Sequence, residues 1–115
     1  MAKKTRLLRN ALPKGYRLPE YEIEKPISEG GFSVVYYATH LPTNERVVIK
    51  EYFPVKHARR LPTGRVETMT EEASRSFGLG IKRFFNEGSA LARLEHPNIV
   101  HVTHMFRANN TVYMV

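Results

Sequence analysis

Three features of the chain have the residue types and spacing for chemistry. Gly30-Gly31 separates two runs rich in strand-forming residues, 21–27 and 33–39, and Lys50 stands near the end of a third, 45–52. Glycine leaves the backbone open to close approach, and the N–H groups of such a turn form a small concavity that favours anions. A lysine on the adjoining strand supplies a compact positive charge. Together they describe a cradle for phosphate. Glu87 is the third feature: it falls three residues after Phe84 and four before Leu91 in a stretch of helical period, which puts it on the packed stripe, where a carboxylate wants a partner. A Gly-Gly pair in a hairpin is also an ordinary turn signal, so the reading depends on what the surrounding elements do.

Those elements read as an antiparallel meander followed by a helix and a hairpin. In the first strand Tyr21, Ile23, Lys25 and Ile27 alternate with Glu22, Glu24 and Pro26. The second strand spans 33–39, and Leu41-Pro42-Thr43-Asn44 turns the chain into the third, 45–52. Period-two geometry sends Val48 and Lys50 to one side of that strand and Val47 and Ile49 to the other. With Val35 beside Val48, the Lys50 side becomes an apolar clamp for a flat ring next to a cation. Residues 54–70 contain two prolines, a Pro62-Thr63-Gly64 turn and Lys56, His57, Arg59, Arg60 and Arg65. They read as a solvated insertion with room for a short hairpin.

From 71 to 94 the period becomes helical, with Phe77, Ile81, Phe84, Leu91 and Leu94 on or near one stripe and Glu71-Glu72 at the start. Thr68-Met69-Thr70-Glu71 has the form of a capping box, while Gly78 and Gly80 weaken the first half or delay the start to about Gly80. Pro97 ends the helix. Residues 99–106 and 111–115 follow as strands four and five across an Ala108-Asn109-Asn110 turn. His101 and His104, placed in one strand, point to opposite faces, which argues against a metal site with His96.

Composition narrows the classes. The 115 residues suffice for one small domain, and the absence of cysteine excludes a disulfide framework and thiolate metal sites. No apolar run approaches the roughly 20 residues of a membrane span, and no secretion signal begins the chain, so the expectation is a soluble cytoplasmic protein. The net charge of +7 is concentrated in Lys3, Lys4, Arg6, Arg9, Lys14 and Arg17; beyond Arg17 basic and acidic residues nearly balance. Residues 1–20 therefore read as a basic, solvated leader and 21–115 as the folded unit, with no specific nucleic-acid partner expected.

The arrangement resembles the N-terminal lobe of protein kinases, and in flavour the bacterial serine/threonine kinases of the eukaryotic-like type. Gly30 matches the middle glycine of the family's glycine-rich loop, Phe32 its tip, Val35 the valine after it, and Val47-Val48-Ile49-Lys50 the lysine strand. Phe84-Phe85-Asn86-Glu87 through Leu91 looks like the helix that carries the ion-pairing glutamate. His96-Pro97-Asn98-Ile99-Val100 looks like the loop into strand four, and Val112-Tyr113-Met114-Val115 like strand five before the hinge.

The resemblance implies an α+β fold, a five-stranded antiparallel sheet with one main helix between strands three and four. It also implies that Lys50 holds the α/β-phosphates of ATP and pairs with Glu87, and that Ile27, Ser28, Glu29, Gly30, Gly31, Phe32 and Ser33 form the loop over them. Val35 and Val48 then pack on adenine, and Leu91 and Val102 join the apolar stack behind the helix. Ser28 and Ser33 stand where the family has its other two glycines, and the longer gap from Lys50 to Glu87 is filled by residues 54–70.

In the family the catalytic loop, the Mg²⁺ ligands and the activation segment lie beyond the position of Val115. The expectation is thus the ATP-binding half of an enzyme that phosphorylates protein hydroxyls, catalytically incompetent without a second lobe as partner. Its rivals are a non-catalytic lobe that binds a partner or nucleotide, and a small basic nucleic-acid binder.

Overall fold

The structure, a computed structural model, describes residues 10–94 and 101–115. Six strands form one sheet: β1 (Arg17–Leu18), β2 (Tyr21–Glu29), β3 (Ser33–His40), β4 (Glu45–Tyr52), β7 (Met105–Ala108) and β8 (Thr111–Met114). A second, two-stranded sheet is made by β5 (Ala58–Arg60) and β6 (Val66–Thr68), and the helix α1 spans Glu71–Arg93. The order across the large sheet is β1-β2-β3-β4-β8-β7. The five strands expected from the sequence are present in α+β arrangement with the helix between the third and fourth of them, and β1 adds a sixth.

Local chemistry explains most boundaries. Pro26 has no N–H to give to the ladder, and the β2–β3 register slips between Pro26 and Ser28 as well as between Ile23 and Lys25. Asn109 and Asn110 take φ of 53° and 64° in the two-residue loop joining β7 to β8, the left-handed pair that a tight hairpin needs. At the start of α1 the Thr70 hydroxyl accepts from the Ala73 N–H at 2.9 Å, so the cap lies two residues beyond the Thr68 expected from a capping box.

Other expectations are corrected. The glycines do not interrupt α1, which is continuous through Gly78 and Gly80. Gly80 lies so close to the Tyr52 hydroxyl that a Cβ would collide with it, and Gly88 meets Met105 and Met114 in the same way. These glycines trade helix propensity for close packing on the sheet. Residues 101–104 are not in a strand, so β7 begins at Met105, and residues 95–100, including His96 and the Pro97 stop, lie outside the described residues. His104 instead meets the Tyr21 hydroxyl at 3.0 Å through Nδ1.

Two regions taken as loose are packed. Residues 1–9 of the leader lie outside the described residues, but Leu12 and Leu18 are buried in the core, and β1 pairs with β2 through a turn at Glu20. Within 54–70, Pro54, Ala58, Gly64 and Val66 are buried, and the β5–β6 hairpin packs beside α1. The sheet thus carries cover on both sides. Tyr52 packs at a tilt against Phe77 and Phe84 of α1, with ring centroids 5.3 and 5.7 Å away. On the opposite side Val34, Tyr36 and Ile49 are fully buried with Leu12.

Candidate nucleotide cleft

The ladder registers arrange the site in two adjacent rows. Ser28 pairs with Val35, Val35 with Lys50 and Lys50 with Met114, so one row crosses β2, β3, β4 and β8 on the helix side of the sheet. The next row, Glu29, Val34, Glu51 and Tyr113, points the other way, because successive strand residues alternate faces.

Lys50 lies between two cavities. One, of about 360 Å³, is walled by Val35, Val47, Val48, Val102 and Met114. The other, of about 340 Å³, lies between the glycine turn and the helix, against Phe32, Ser33, Tyr52, Arg83 and Glu87. Lys50 lines both. A ligand with an apolar plate and an anionic chain matches this pairing of an apolar recess with a charged one.

The structure brings Val35, Val48 and Lys50 together as the strand period required. Val48 is half exposed, at 50%, so it is not simply core. Val47, assigned to the opposite side, reaches the same cavity at its edge. Glu29 does not face the cleft: its carboxylate accepts from the Asn10 side chain at 3.0 Å on the back of the sheet. Ile27 is 43% exposed near the end of β2.

The glycine turn is tied back over the end of β4. The Gly31 carbonyl accepts from the Val55 N–H at 3.0 Å and the Phe32 carbonyl from the Phe53 N–H at 2.8 Å. In a trans peptide the N–H points opposite to the C=O, so the Phe32 N–H is directed away from residues 53–55. The Gly30 N–H is occupied by the Ser33 carbonyl at 2.8 Å. Neither Gly30 nor Gly31 has positive φ, and a Cβ at Gly31 would meet nothing within 4 Å. Glycine is not required there by the fold itself. Phe32 at the tip is 72% exposed.

Glu87 and Lys50 line one cavity without forming an ion pair: among the described residues the ion pairs are Arg17–Glu22, His40–Glu20, Arg46–Glu24, Arg59–Glu67 and Arg60–Glu51. Glu87 is exposed rather than on the buried stripe. The buried side of α1 is centred on Ala73, Phe77, Phe84 and Gly88, and three residues of a 3.6-residue turn set Glu87 about 60° off Phe84. That rotation carries it to the flank shared with Gly80 and Arg83, which borders the cavity. The Lys50 ammonium instead stands 6.0 Å from the Phe84 ring centroid, at the outer limit of a cation–π contact. Leu91 is partly buried against the core and Val102 is buried.

Sequence reasoning did not include Arg83, which enters the cavity from one turn before Glu87; its i,i+4 spacing was the available signal. It also missed the buried group behind the site. Glu51 is fully buried, and its two oxygens accept from Arg60 at 2.5 and 2.9 Å and from the Tyr36 and Tyr113 hydroxyls at 2.7 and 2.5 Å. Burial first, then the charge and hydrogen bond of Glu51, push both phenols well above their ordinary pKa. Burial works against the Arg60 charge, yet the hydrogen bonds and charge of Glu51 outweigh it and raise its pKa. Among the described residues no group of three or more potential metal ligands occurs, and no helix is long and apolar enough to cross a membrane.

The fold is that of a protein-kinase small lobe, and known proteins agree. A solved structure titled "PpkA-294 apo form" superposes with a TM-score of 0.88 at 38% sequence identity over 91% of this chain. CBL-interacting serine/threonine-protein kinase 15 of Arabidopsis thaliana is 36% identical over 95 residues, 83% of this chain. Maternal embryonic leucine zipper kinase of Xenopus tropicalis is 30% identical over 98 residues, 85% of this chain. No family model matches. The chain spans 18% and 12% of the length of these two relatives and 37% of the solved chain. Its 115 residues are an N-terminal lobe of the eukaryotic-like serine/threonine kinase family.

Proposed function

We propose that this lobe is the ATP-binding half of a bacterial-type serine/threonine protein kinase that phosphorylates protein hydroxyls in the cytoplasm. The observation that carries the reading is the position of Lys50, between an apolar recess walled by Val35 and Val48 and a second recess bordered by Phe32 and Ser33, which follow the glycine pair, and by Arg83 and Glu87. Adenine fits the first by shape and polarity, and the phosphates fit the second by charge. Catalysis of phosphoryl transfer is chiefly positioning and charge stabilisation, which in this family includes Mg²⁺ held by carboxylates of the second lobe. The 115 residues alone are therefore expected to bind ATP weakly and to transfer nothing.

Lys50 and Glu87 take the roles of phosphate anchor and its ion-pair partner. Both line the same cavity, within reach of one ligand, although they form no ion pair with each other. An acyl-phosphate derivative of ATP, which acylates a lysine beside the phosphates, tests the assignment. Lys50 should be labelled ahead of Lys14, Lys25, Lys56 and Lys82, and excess ATP should suppress the labelling. Even labelling of all lysines would reject the site.

A second reading, a non-catalytic lobe that binds a partner, is favoured by the exposed apolar side chains Phe32, Leu79 and Phe85. It predicts that Lys50→Met is tolerated by whatever activity the whole protein shows.

A further inference from the structure

Asn10 touches both halves of the cradle from behind. Its side-chain amide donates to Glu29 Oε1 at 3.0 Å, and Glu29 is bonded directly to Gly30. Its backbone carbonyl accepts twice from Arg60, through Nε at 3.0 Å and Nη2 at 2.9 Å. Arg60 in turn grips Glu51, the residue bonded to Lys50. All five guanidinium hydrogens are used, the last by the Gly64 carbonyl at 2.8 Å. Two residues on, the Leu12 N–H donates to the Tyr36 hydroxyl at 3.0 Å, and Leu12 is buried.

Glu29 makes this link sensitive. Its other oxygen, Oε2, is buried and has no hydrogen-bond partner, so Asn10 supplies the one hydrogen bond this carboxylate has among the described residues. Take the Asn10 amide away and a buried carboxylate has every reason to swing toward water, carrying the backbone at Gly30 with it. Arg60 is different, being held in a bidentate pair with side-chain exposures of 10% and 0%. Arg60 is thus the more firmly held end of the link.

We propose that residues 10–12 and the β5–β6 hairpin form a clasp on the back of the sheet that sets the glycine turn against Lys50, with Asn10 as its positioning residue for phosphate binding. The proposal rests on the function assigned above, but its mechanical part can be read without any ligand. In the clasped state the turn's ties, Gly30 N–H to Ser33 and the Phe53 and Val55 N–H groups to Phe32 and Gly31, are held closed.

Amide hydrogen exchange on the full chain, in the wild type and in Asn10→Leu, Glu29→Leu and the double variant, tests it. Asn10→Leu should speed exchange at Gly30, Phe53 and Val55 about tenfold, and the double variant should add little, while the Leu41 and α1 amides change less than about twofold. Unchanged exchange at the turn would overturn the clasp, and so would uniform acceleration through sheet and helix, which marks a merely stabilising contact. Acyl-phosphate labelling of the same variants separates the two claims. If the wild type shows no preference for Lys50, the nucleotide assignment fails while the exchange result still decides the clasp. If it does, Asn10→Leu should cut that preference several-fold, and undiminished labelling would overturn the positioning role.

Discussion

Lys50 and Glu51 are adjacent in sequence and stand on opposite faces of β4, one at the junction of two open cavities and the other fully buried against Arg60, Tyr36 and Tyr113. The alternation of a strand thus places the cleft-facing charge and the buried charge back to back. The buried one is fully satisfied: four hydrogen bonds fill the Glu51 oxygens. In this register every partner of the buried carboxylate is in place.

Breaking that pair leaves a buried carboxylate without its cation. Arg60→Met should destabilise the chain by about 3–5 kcal/mol in urea denaturation. Arg59→Met, which breaks the exposed pair with Glu67, should cost about 0–1 kcal/mol. Equal effects at the two positions would contradict the distinction.

The two buried phenols make stability fall in base. An unfolded chain releases their protons near pH 10, whereas the folded chain keeps them, because burial and then Glu51 raise both pKa values. Above pH 10 the folded state therefore binds more protons, and stability declines by about 1.4 kcal/mol per pH unit for each phenol. Tyr21 and Tyr52 are raised in the same direction, chiefly by burial, and add to the trend. Below that pH these groups contribute no slope. Urea midpoints recorded between about pH 8 and 11 should show the decline, and Tyr113→Phe should flatten it.

Gly78 and Gly80 should respond oppositely to alanine. Gly78 faces open space, so Gly78→Ala should stabilise α1 by up to about 1 kcal/mol. Gly80→Ala forces a methyl into the Tyr52 ring, which Phe77 and Phe84 hold in place, and should cost about 1–3 kcal/mol. Thermal melting of the two variants checks the sign of each.

Glu87 is exposed and forms no ion pair here, so Glu87→Ala should change the chain's stability by less than about 0.5 kcal/mol. A loss above about 1.5 kcal/mol would mean that Lys50 and Glu87 are paired in solution.

The first three strands and the helix were legible because their periods are clean: the limits of β4 follow from alternation and the start of α1 from the change of period at Glu71-Glu72. The Lys50–Val35–Val48 grouping was legible for the same reason. What escaped was set by contacts distant in sequence. Arg60 reads as one more charge in a basic loop until Glu51 is seen across from it, and Leu12 reads as leader until Tyr36 binds its N–H. Glu87 was placed one step too far round the helix because its neighbours Phe84 and Leu91 are apolar, while the true centre of the buried face includes Gly88, which carries no hydrophobic signal.

The central claim is that Lys50 and the glycine turn hold phosphates while Val35 and Val48 hold a flat ring. Amide NMR titrations of the chain with ATP and with adenosine, for the wild type and Lys50→Met, test it most directly. Both ligands should shift Val35 and Val48, only ATP should shift Gly31, Phe32 and Lys50, and Lys50→Met should abolish that difference. Identical shifts from ATP and adenosine, or an ATP response that survives Lys50→Met unchanged, would contradict the account.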